Sequence, residues 1–344
     1  MSMSFGSNRI RAVLASLAFT ICGLNSAEAS DKPVAELPSA SRNAALDAPL
    51  SAAGFEVAVT VDDLPLQGEP IQGSSRLSIA RAFLAELKSR RVPEVMGFIN
   101  AGAPADLGET DAVLRAWRRA GYPLGNHTLT HLSLSDARSF DDWKANVEGN
   151  EQYLIRYMGS KGWRYMRLPN LTTGRSKERH DSAVDYLDAR RYRLAEVSVS
   201  FGDWAYVEAY KRCTMQRDEA GIAALEATYF DQVDRGLLRM KLLSQLLYSR
   251  QIRQVLVMHL SAWSVRTLPG VLSRIEAAGG RYITLARALD DPAYREPAAE
   301  RGKGLLLERV ATRRNMPLPG QVLNRPDLAV AGVCRNSSRA GNIP

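Results

Sequence analysis

Over residues 55–284, short segments whose apolar residues have the spacing of a β-strand alternate with longer segments whose apolar residues have the spacing of a helix. This alternation restricts the fold more than any other feature. The first segment carries an apolar residue at every second position: Phe55, Val57, Val59 and Val61. Such a period of two is typical of a strand. Strands that alternate with helices form a parallel sheet covered by helices. We therefore predict an α/β fold.

The remaining elements follow from the same periodicities. Further strands are predicted at residues 95–100, 122–125, 165–168, 194–201, 254–259 and 281–284. Helices are predicted at residues 110–120, 140–158 and 264–278. An earlier helix is expected to begin at Ser74 as its cap and to place Leu77, Phe83 and Leu87 on one face.

Two segments lie outside the alternation, so that the main domain is predicted to span residues 51–296. Residues 205–250 have helical spacing almost throughout and are predicted to be a helical insertion. Its leucines would otherwise form a large exposed patch, so we expect them to pack inside the molecule. These are Leu237, Leu238, Leu242 and Leu246. Residues 297–344 are predicted to be a short helix, at 305–314, and a loose tail.

Residues 1–29 have the three parts of a secretory signal peptide: Arg9 and Arg11, an apolar stretch, and small residues at Ala27 and Ala29. The apolar stretch is too short to span a bilayer comfortably, and no apolar run of 18 residues follows it. We therefore expect an exported protein, periplasmic or secreted, without a membrane anchor after cleavage. Residues 30–50 are rich in Ala, Ser, Pro and Asp and are predicted to be a linker.

Cleavage after Ala29 removes two arginines and one glutamate from a chain of net charge +8, which leaves +7. The basic residues are spread along the whole chain. They are therefore weak evidence for an anionic partner and no evidence for a nucleic acid. Cys213 and Cys334 remain after cleavage. In an exported protein they can pair, and two unpaired thiols are an equal alternative.

Two of the four histidines, His127 and His131, stand four residues apart. This spacing would place both imidazoles on one side of a helical turn, as two ligands of one metal ion require. By itself the pair is weak evidence, because ordinary surface or core histidines are commoner at this spacing. However, His127 follows a strand-like segment, and loops at the carboxyl ends of strands form the sites of α/β barrels.

Other polar residues also follow strand-like segments. Asp62 and Asp63 end the first strand and point in different directions, so one carboxylate can bind a metal while its neighbour faces a substrate. The alternative is an Asp pair that starts a turn before Pro65. Three more groups follow later strands: Arg167 with Pro169, Asp203 with Trp204, and Met258 with His259. A surface arginine and a core histidine are the alternatives for the first and last of these groups.

Taken in order, these groups resemble the five motifs of the NodB-like polysaccharide deacetylases, carbohydrate esterase family four. The resemblance covers residues 55–294, and its most specific parts are V-D-D-L-P at 61–65 and H-T-L-T-H at 127–131. Residues 203–263, with the helical insertion, look like an exported branch of this family found in Gram-negative bacteria. The resemblance implies a distorted or incomplete (β/α) barrel.

The resemblance also implies a role for each motif residue. Asp63, His127 and His131 would hold one divalent metal. A carboxylate with two imidazoles suits Zn²⁺, and Co²⁺, Mn²⁺ or Ni²⁺ could also bind there. Asp62 would be the general base for the attacking water, and Arg167 would pair with Asp62 and keep it ionised.

The other residues are implied to act on the acetyl group and the sugar. The backbone N–H of Asn170 would stabilise the oxyanion. His259 would be the general acid that protonates the leaving group, and Asp203 would orient His259. Trp204 would form part of the groove wall that receives a sugar ring.

Some residues depart from the family pattern. Leu64 stands where a glycine is usual, Ser200 where an aspartate often begins the fourth motif, and Asn170 where a tyrosine or phenylalanine is usual. These changes affect the groove more than the metal ligands, so they bear on which substrate is bound rather than on activity. His180 matches no motif and is predicted to lie at the surface.

The sequence thus predicts a metal-dependent hydrolase that removes acetyl groups from an extracytoplasmic carbohydrate, most simply one that contains N-acetylglucosamine. One alternative is a hydrolase of the same fold that acts on a non-sugar amide or on an O-acetyl ester. Another is a non-catalytic protein that binds glycans in the groove. The complete set of motifs argues against the second alternative, because a binding protein has no need of Asp62 or His259.

Overall fold

The structure, a computed structural model, describes residues 54–102, 107–295, 302–316 and 328–335. The predicted signal peptide at 1–29 and the predicted linker at 30–50 lie outside these residues. Within them, no helix combines the length and the apolar character that a membrane span needs.

A parallel sheet forms the centre of the domain, as the alternation of strands and helices predicted. Its strands are β1 (Phe55–Leu64), β2 (Val95–Ile99), β3 (Leu124–Asn126), β4 (Tyr165–Met166), β5 (Arg193–Leu194), β6 (Val199–Ser200), β7 (Gln254–His259) and β8 (Gly280–Tyr282). The order across the sheet is β5-β4-β3-β2-β1-β7-β6, and β8 pairs with the start of β1. β5 and β6 are the two edges and are not paired with each other, so the fold is the predicted incomplete (β/α) barrel.

Helices cover the sheet. They are α1 (Arg76–Ser89), α2 (Leu107–Arg119), α3 (Phe140–Met158), α4 (Lys177–Ala189), α5 (Val207–Gln216), α6 (Glu219–Tyr248), α7 (Ala262–Ala277), α8 (Leu285–Leu289) and α9 (Leu306–Arg313). Ser75, not Ser74, caps α1, and its hydroxyl accepts a hydrogen bond from the Ser78 N–H. The buried face of α1 contains Phe83 and Leu87 as predicted, whereas Leu77 is only partly buried.

The segment predicted as one strand at 194–201 is two short strands on opposite edges of the sheet. The Ala195 N–H donates to Met166 O of β4 at 2.8 Å, whereas the Ser198 N–H donates to Val255 O of β7 at 3.1 Å. Between these two residues the chain therefore crosses the open seam of the barrel, which is the gap between the unpaired edge strands β5 and β6. Periodicity does not reveal the crossing, because the residues on both sides of it are apolar.

The predicted insertion consists of α5 and α6, but its leucines divide between two faces. Leu237 is buried, whereas Leu238 and Leu246 are 40% and 47% exposed. The prediction that all four leucines pack inside is therefore wrong for these two. In a helix, residues 238, 242 and 246 lie on the stripe next to the buried one. The buried stripe consists of Leu237, Met240, Leu243 and Leu247.

The described part of the C-terminal region is packed against the domain rather than loose. The helix predicted at 305–314 is α9, and its Arg309 forms a buried ion pair with Glu196 at 2.6 Å. Farther along, Cys334 forms a disulfide with Cys213 of α5, so the paired alternative for these two cysteines is the one observed. The disulfide fastens residues 328–335 to the helical insertion.

Candidate active site

The predicted site residues meet at one edge of the sheet. Asp62 and Asp63 lie near the end of β1, His127 directly follows β3, Arg167 directly follows β4, and His259 ends β7. Parallel strands present their carboxyl ends at the same edge, so residues far apart in sequence become neighbours there.

Three side chains form a cluster suited to a metal ion. The Asp63 Oδ1 atom lies 3.5 Å from His127 Nε2 and 3.6 Å from His131 Nε2. One potential ligand atom from each residue lies within 4.8 Å of the other two. The predicted ligand set is therefore brought together by the fold.

Two features of these residues fit a divalent cation. Asp63 Oδ1 is buried and has no hydrogen-bond partner among the residues that the structure describes, which is costly for a carboxylate oxygen unless a cation completes its environment. His127 Nδ1 lies 2.8 Å from the carbonyl oxygen of Arg167, so Nδ1 must donate and Nε2 presents its lone pair to the cluster. Burial lowers the pKa of His127, which favours the neutral form that binds metals.

The spacing of the two histidines predicted that they would lie on a helix. They do not. The segment after β3 is a turn in which Thr128 and His131 have φ angles of 62° and 59°. Asp63 and Asn170 also have left-handed backbone conformations, with φ angles of 60° and 58°. Non-glycine residues seldom adopt this conformation, and those that do are concentrated at functional sites.

Asp62 is held by a buried arginine. The Arg167 Nη1 atom donates to both carboxylate oxygens of Asp62, at 2.8 and 3.0 Å, and Nη2 donates to Thr60 Oγ1 at 3.0 Å. Arg167 Nε donates to Ala195 O at 2.6 Å, at the point where the chain enters the open seam. The guanidinium is thus held by Asp62, Thr60 and Ala195, and it places a positive charge against the Asp62 carboxylate.

His259 is held by a buried carboxylate. Asp203 accepts a hydrogen bond from His259 Nδ1 at 2.9 Å and another from the His259 backbone N–H at 2.7 Å. Burial lowers the pKa of His259, but the charge and hydrogen bond of Asp203, with the charges of Asp63 and Asp62, raise it to about 9 overall. The imidazole therefore carries a proton at neutral pH.

The predicted site residues surround a cleft with a volume of about 360 Å³. Seven of the nine predicted site residues line it: Asp62, Asp63, His127, His131, Asn170, Trp204 and His259. Arg167 and Asp203 lie behind it, each bonded to a residue in the cleft. Trp204 is 51% exposed, although it follows the buried Asp203. It therefore presents an aromatic surface to the cleft.

Sequence reasoning missed some of the cleft wall and misplaced one histidine. Gln67, Leu171, Lys303 and Gly304 line the cleft but belong to no motif, so no local signal marked them. His180, predicted at the surface, is buried on α4, and its Nδ1 atom lies 3.1 Å from Thr173 O. Its position on the inner face of α4 was not recognised because that helix was not predicted.

Residues 51–187 match the family model described as polysaccharide deacetylase. The match confirms the resemblance indicated by the motifs over this part of the chain. It includes Asp62, Asp63, both cleft histidines and Arg167. It ends before His259, which lines the same cleft, and before Asp203, which binds His259 from behind the cleft.

The chain is similar to several solved structures. The chitin deacetylase of the fungal pathogen Colletotrichum lindemuthianum is 19% identical over 70% of this chain and 89% of its own, with a TM-score of 0.47. A family 4 acetyl xylan esterase from Clostridium thermocellum, solved with a cobalt ion, is 14% identical over 78% and 96%, with a TM-score of 0.43.

A third similar structure is a family 4 pseudoenzyme from Bacillus anthracis, 14% identical over 69% of this chain and 66% of its own, with a TM-score of 0.41. At such identities and TM-scores, nothing about the activity of this chain follows from these similarities. No curated protein sequence matches the chain.

Proposed function

We propose that this chain is a metal-dependent deacetylase that hydrolyses acetyl groups from an extracytoplasmic carbohydrate containing N-acetylglucosamine. The observation that carries the proposal is the convergence of Asp63, His127 and His131 around a buried carboxylate oxygen that, in the described part of the chain, has no hydrogen-bond partner. A base candidate, Asp62, and an acid candidate, His259, line the same cleft. A deacetylase needs all three elements within reach of one acetyl group.

Asp63, His127 and His131 would hold one divalent metal, for which Zn²⁺ is the best match to one carboxylate and two imidazoles. Co²⁺, Mn²⁺ or Ni²⁺ also suit this donor set. When bound, the ion would polarise the acetyl carbonyl and make a water molecule easier to deprotonate.

Asp62 takes the proton of the attacking water. Arg167 binds both oxygens of its carboxylate and fixes it in place, because Arg167 is itself held by Thr60 and Ala195. A base with a fixed position loses little entropy when it reaches the transition state.

His259 donates a proton to the leaving nitrogen or oxygen of the sugar. Asp203 binds Nδ1, so the proton on Nε2 is the one available for transfer. A pKa of about 9 keeps His259 protonated at neutral pH, as a general acid requires.

Asn170 and Trp204 act on the rest of the substrate. The left-handed turn at Asn170 places this residue in the cleft wall, where its backbone N–H would stabilise the oxyanion. Trp204 offers its exposed ring to the apolar face of a sugar.

Export of the protein is part of the proposal. The disulfide between Cys213 and Cys334 supports it, because disulfides persist in oxidising compartments such as the periplasm or the medium. The signal-peptide pattern of residues 1–29 supports the same location.

The decisive experiment is acetate release from a panel of acetylated glycans, measured with and without a chelator. The panel should contain N-acetylated and O-acetylated sugars together with a non-sugar amide. Chelator-sensitive release from the N-acetylated sugars supports the proposal, and release from the O-acetyl ester or the non-sugar amide alone supports the other hydrolase. Glycan binding without release under any divalent metal supports a binding protein.

A further inference from the structure

Lys303 is a residue of the cleft wall that the mechanism above does not use. Among the described residues that line the cleft, it alone is a lysine or an arginine. It lies outside the segment that matches the family model and outside every motif of the sequence. The C-terminal region therefore adds a positive charge to a site otherwise formed by the barrel.

The backbone at Lys303 is fixed to the loop after β4. Lys303 and Thr172 form an antiparallel bridge. On either side of it, the Gly304 N–H donates to Leu171 O at 3.0 Å and the Thr173 N–H donates to Gly302 O at 2.9 Å. Lys303 is thus anchored next to Asn170, the residue proposed to stabilise the oxyanion.

Lys303 has no ion-pair partner within the described ranges of the chain. Among the residues that the structure describes, no carboxylate oxygen lies within 4.0 Å of its ammonium group, and the side chain is exposed. By contrast, Arg167 is bound to Asp62, and Arg309 of the same C-terminal segment is bound to Glu196. Among the described residues, Lys303 is therefore the one lysine or arginine of the cleft wall, and its charge is available to a ligand.

We propose that Lys303 binds an anionic group of the glycan, so that the substrate is an acidic polysaccharide with a carboxylate or sulfate near the acetylated sugar. This inference rests on the proposed function, since it takes the cleft to be the sugar-binding site. The backbone of Lys303 is fixed in the cleft wall beside the loop after β4, so Lys303 determines where that anion can lie. A charge-assisted hydrogen bond there would favour acidic over neutral chains.

Calorimetric titration with three tetrasaccharides tests the inference without requiring turnover. The neutral one contains only N-acetylglucosamine. The carboxylated one alternates N-acetylglucosamine with glucuronic acid, and the sulfated one is the neutral tetrasaccharide carrying sulfate groups. Each is titrated at low salt into the full chain and into Lys303→Met, Lys303→Arg and Lys161→Met. Lys161 is an exposed lysine that does not line the cleft, so it controls for the loss of one charge.

We expect an acidic tetrasaccharide to bind the unmodified protein about tenfold more tightly than the neutral one. This preference should disappear in Lys303→Met and persist in Lys303→Arg and Lys161→Met. The preferred acidic form shows whether the anion is a carboxylate or a sulfate. Equal affinities in the unmodified protein, no binding of any tetrasaccharide, or a preference that survives in Lys303→Met would overturn the inference.

Hydrolysis of 4-nitrophenyl acetate by the unmodified protein separates this inference from the proposed function. If the ester is hydrolysed in a chelator-sensitive way but no acidic preference exists, only the assignment of Lys303 fails. If the preference exists but neither the ester nor any tetrasaccharide is deacetylated, the proposed function fails and Lys303 is a ligand-binding residue of a non-catalytic cleft.

Discussion

Asp62 and His259 are register partners in the parallel pairing of β1 with β7. Neighbouring strands lie about 5 Å apart, so the proposed base and the proposed acid are positioned by one strand pair. Each is then held by a buried residue of opposite charge, Asp62 by Arg167 and His259 by Asp203. Substitutions that shorten or neutralise one of these side chains therefore test chemistry while the strand pair stays intact.

Asp62→Asn should lower kcat by about a thousandfold and leave the metal content unchanged, because the amide cannot accept a proton and the proposed ligands remain. Metal content is measured by mass spectrometry and kcat by acetate release. Asp141→Asn, at an aspartate whose side chain is 86% exposed on α3, is the control and should retain full activity. Loss of the metal from Asp62→Asn would show that Asp62 is a ligand.

His131→Ala should remove the metal and the activity together. The His131 side chain is 37% exposed, so its truncation should not unfold the protein, in contrast to truncation of the buried His127. Metal titration followed by calorimetry measures the loss, and circular dichroism checks the fold. A variant that keeps normal metal affinity would rule out His131 as a ligand.

His259→Ala should impair an N-acetyl substrate far more than an aryl acetate ester. A sugar amine leaves only with help from an acid, whereas a phenolate is a good leaving group by itself. We expect a loss in kcat of about 100- to 1000-fold for the amide and a much smaller loss for the ester. Equal losses on both substrates would instead indicate that His259 stabilises the oxyanion or has a structural role.

The pH dependence of kcat should show a basic limb that belongs to His259. The pKa of His259 is raised to about 9, so the acid form is present at neutral pH and is lost as the pH rises through that value. A bound metal ion opposes the charges of Asp63 and Asp62, so the limb should lie at or below pH 9. In His259→Gln the limb should be absent, and its persistence there would assign it to another group.

Removal of the disulfide should destabilise the protein without changing kcat for a small ester. The bond joins residues 121 positions apart, and the chain-entropy model gives an upper value of about 5 kcal/mol for such a loop. We expect a loss of about 2–4 kcal/mol in the free energy of unfolding of Cys213→Ala/Cys334→Ala, measured in urea. A stability equal to that of the unmodified protein would show that residues 328–335 contribute little.

The buried ion pair between Arg309 and Glu196 gives a prediction for the C-terminal helix. Arg309→Met would leave the Glu196 carboxylate buried without its partner, which should cost about 3–5 kcal/mol of unfolding free energy. Replacing both residues, as in Glu196→Met/Arg309→Met, should restore most of it, because no buried charge remains. If the double variant is as unstable as the sum of the single variants, the pair is not coupled.

The sequence was sufficient to predict the central strands and the residues that follow them. The alternation in β1 and the apolar run of β7 are local signals, and the motif residues Asp62 and His259 follow directly from where these strands end. The crossing between Ala195 and Ser198 was not predictable, because it is defined by backbone bonds to two strands distant in sequence, from Ala195 to Met166 of β4 and from Ser198 to Val255 of β7.

The turn that carries His127 and His131 was also predictable only in part. The spacing of His127 and His131 correctly indicated two convergent imidazoles, but their convergence comes from left-handed residues in a turn rather than from a helix. Backbone conformations of this kind depend on the surrounding structure and leave no mark in a pattern of apolar and polar residues. Lys303 was missed for a related reason, since its place in the cleft depends on a bridge between distant segments.

The attachment of residues 302–304 by main-chain hydrogen bonds makes this part of the cleft exchangeable. Bonds between Gly304 and Leu171, and between Thr173 and Gly302, join backbone atoms and do not depend on which side chain stands at position 303. The proposed metal ligands and the proposed acid–base pair lie on other segments of the chain. If the proposed function and the assignment of Lys303 hold, a library of sequences at position 303 should yield variants that share one reaction centre and select polymers of different charge.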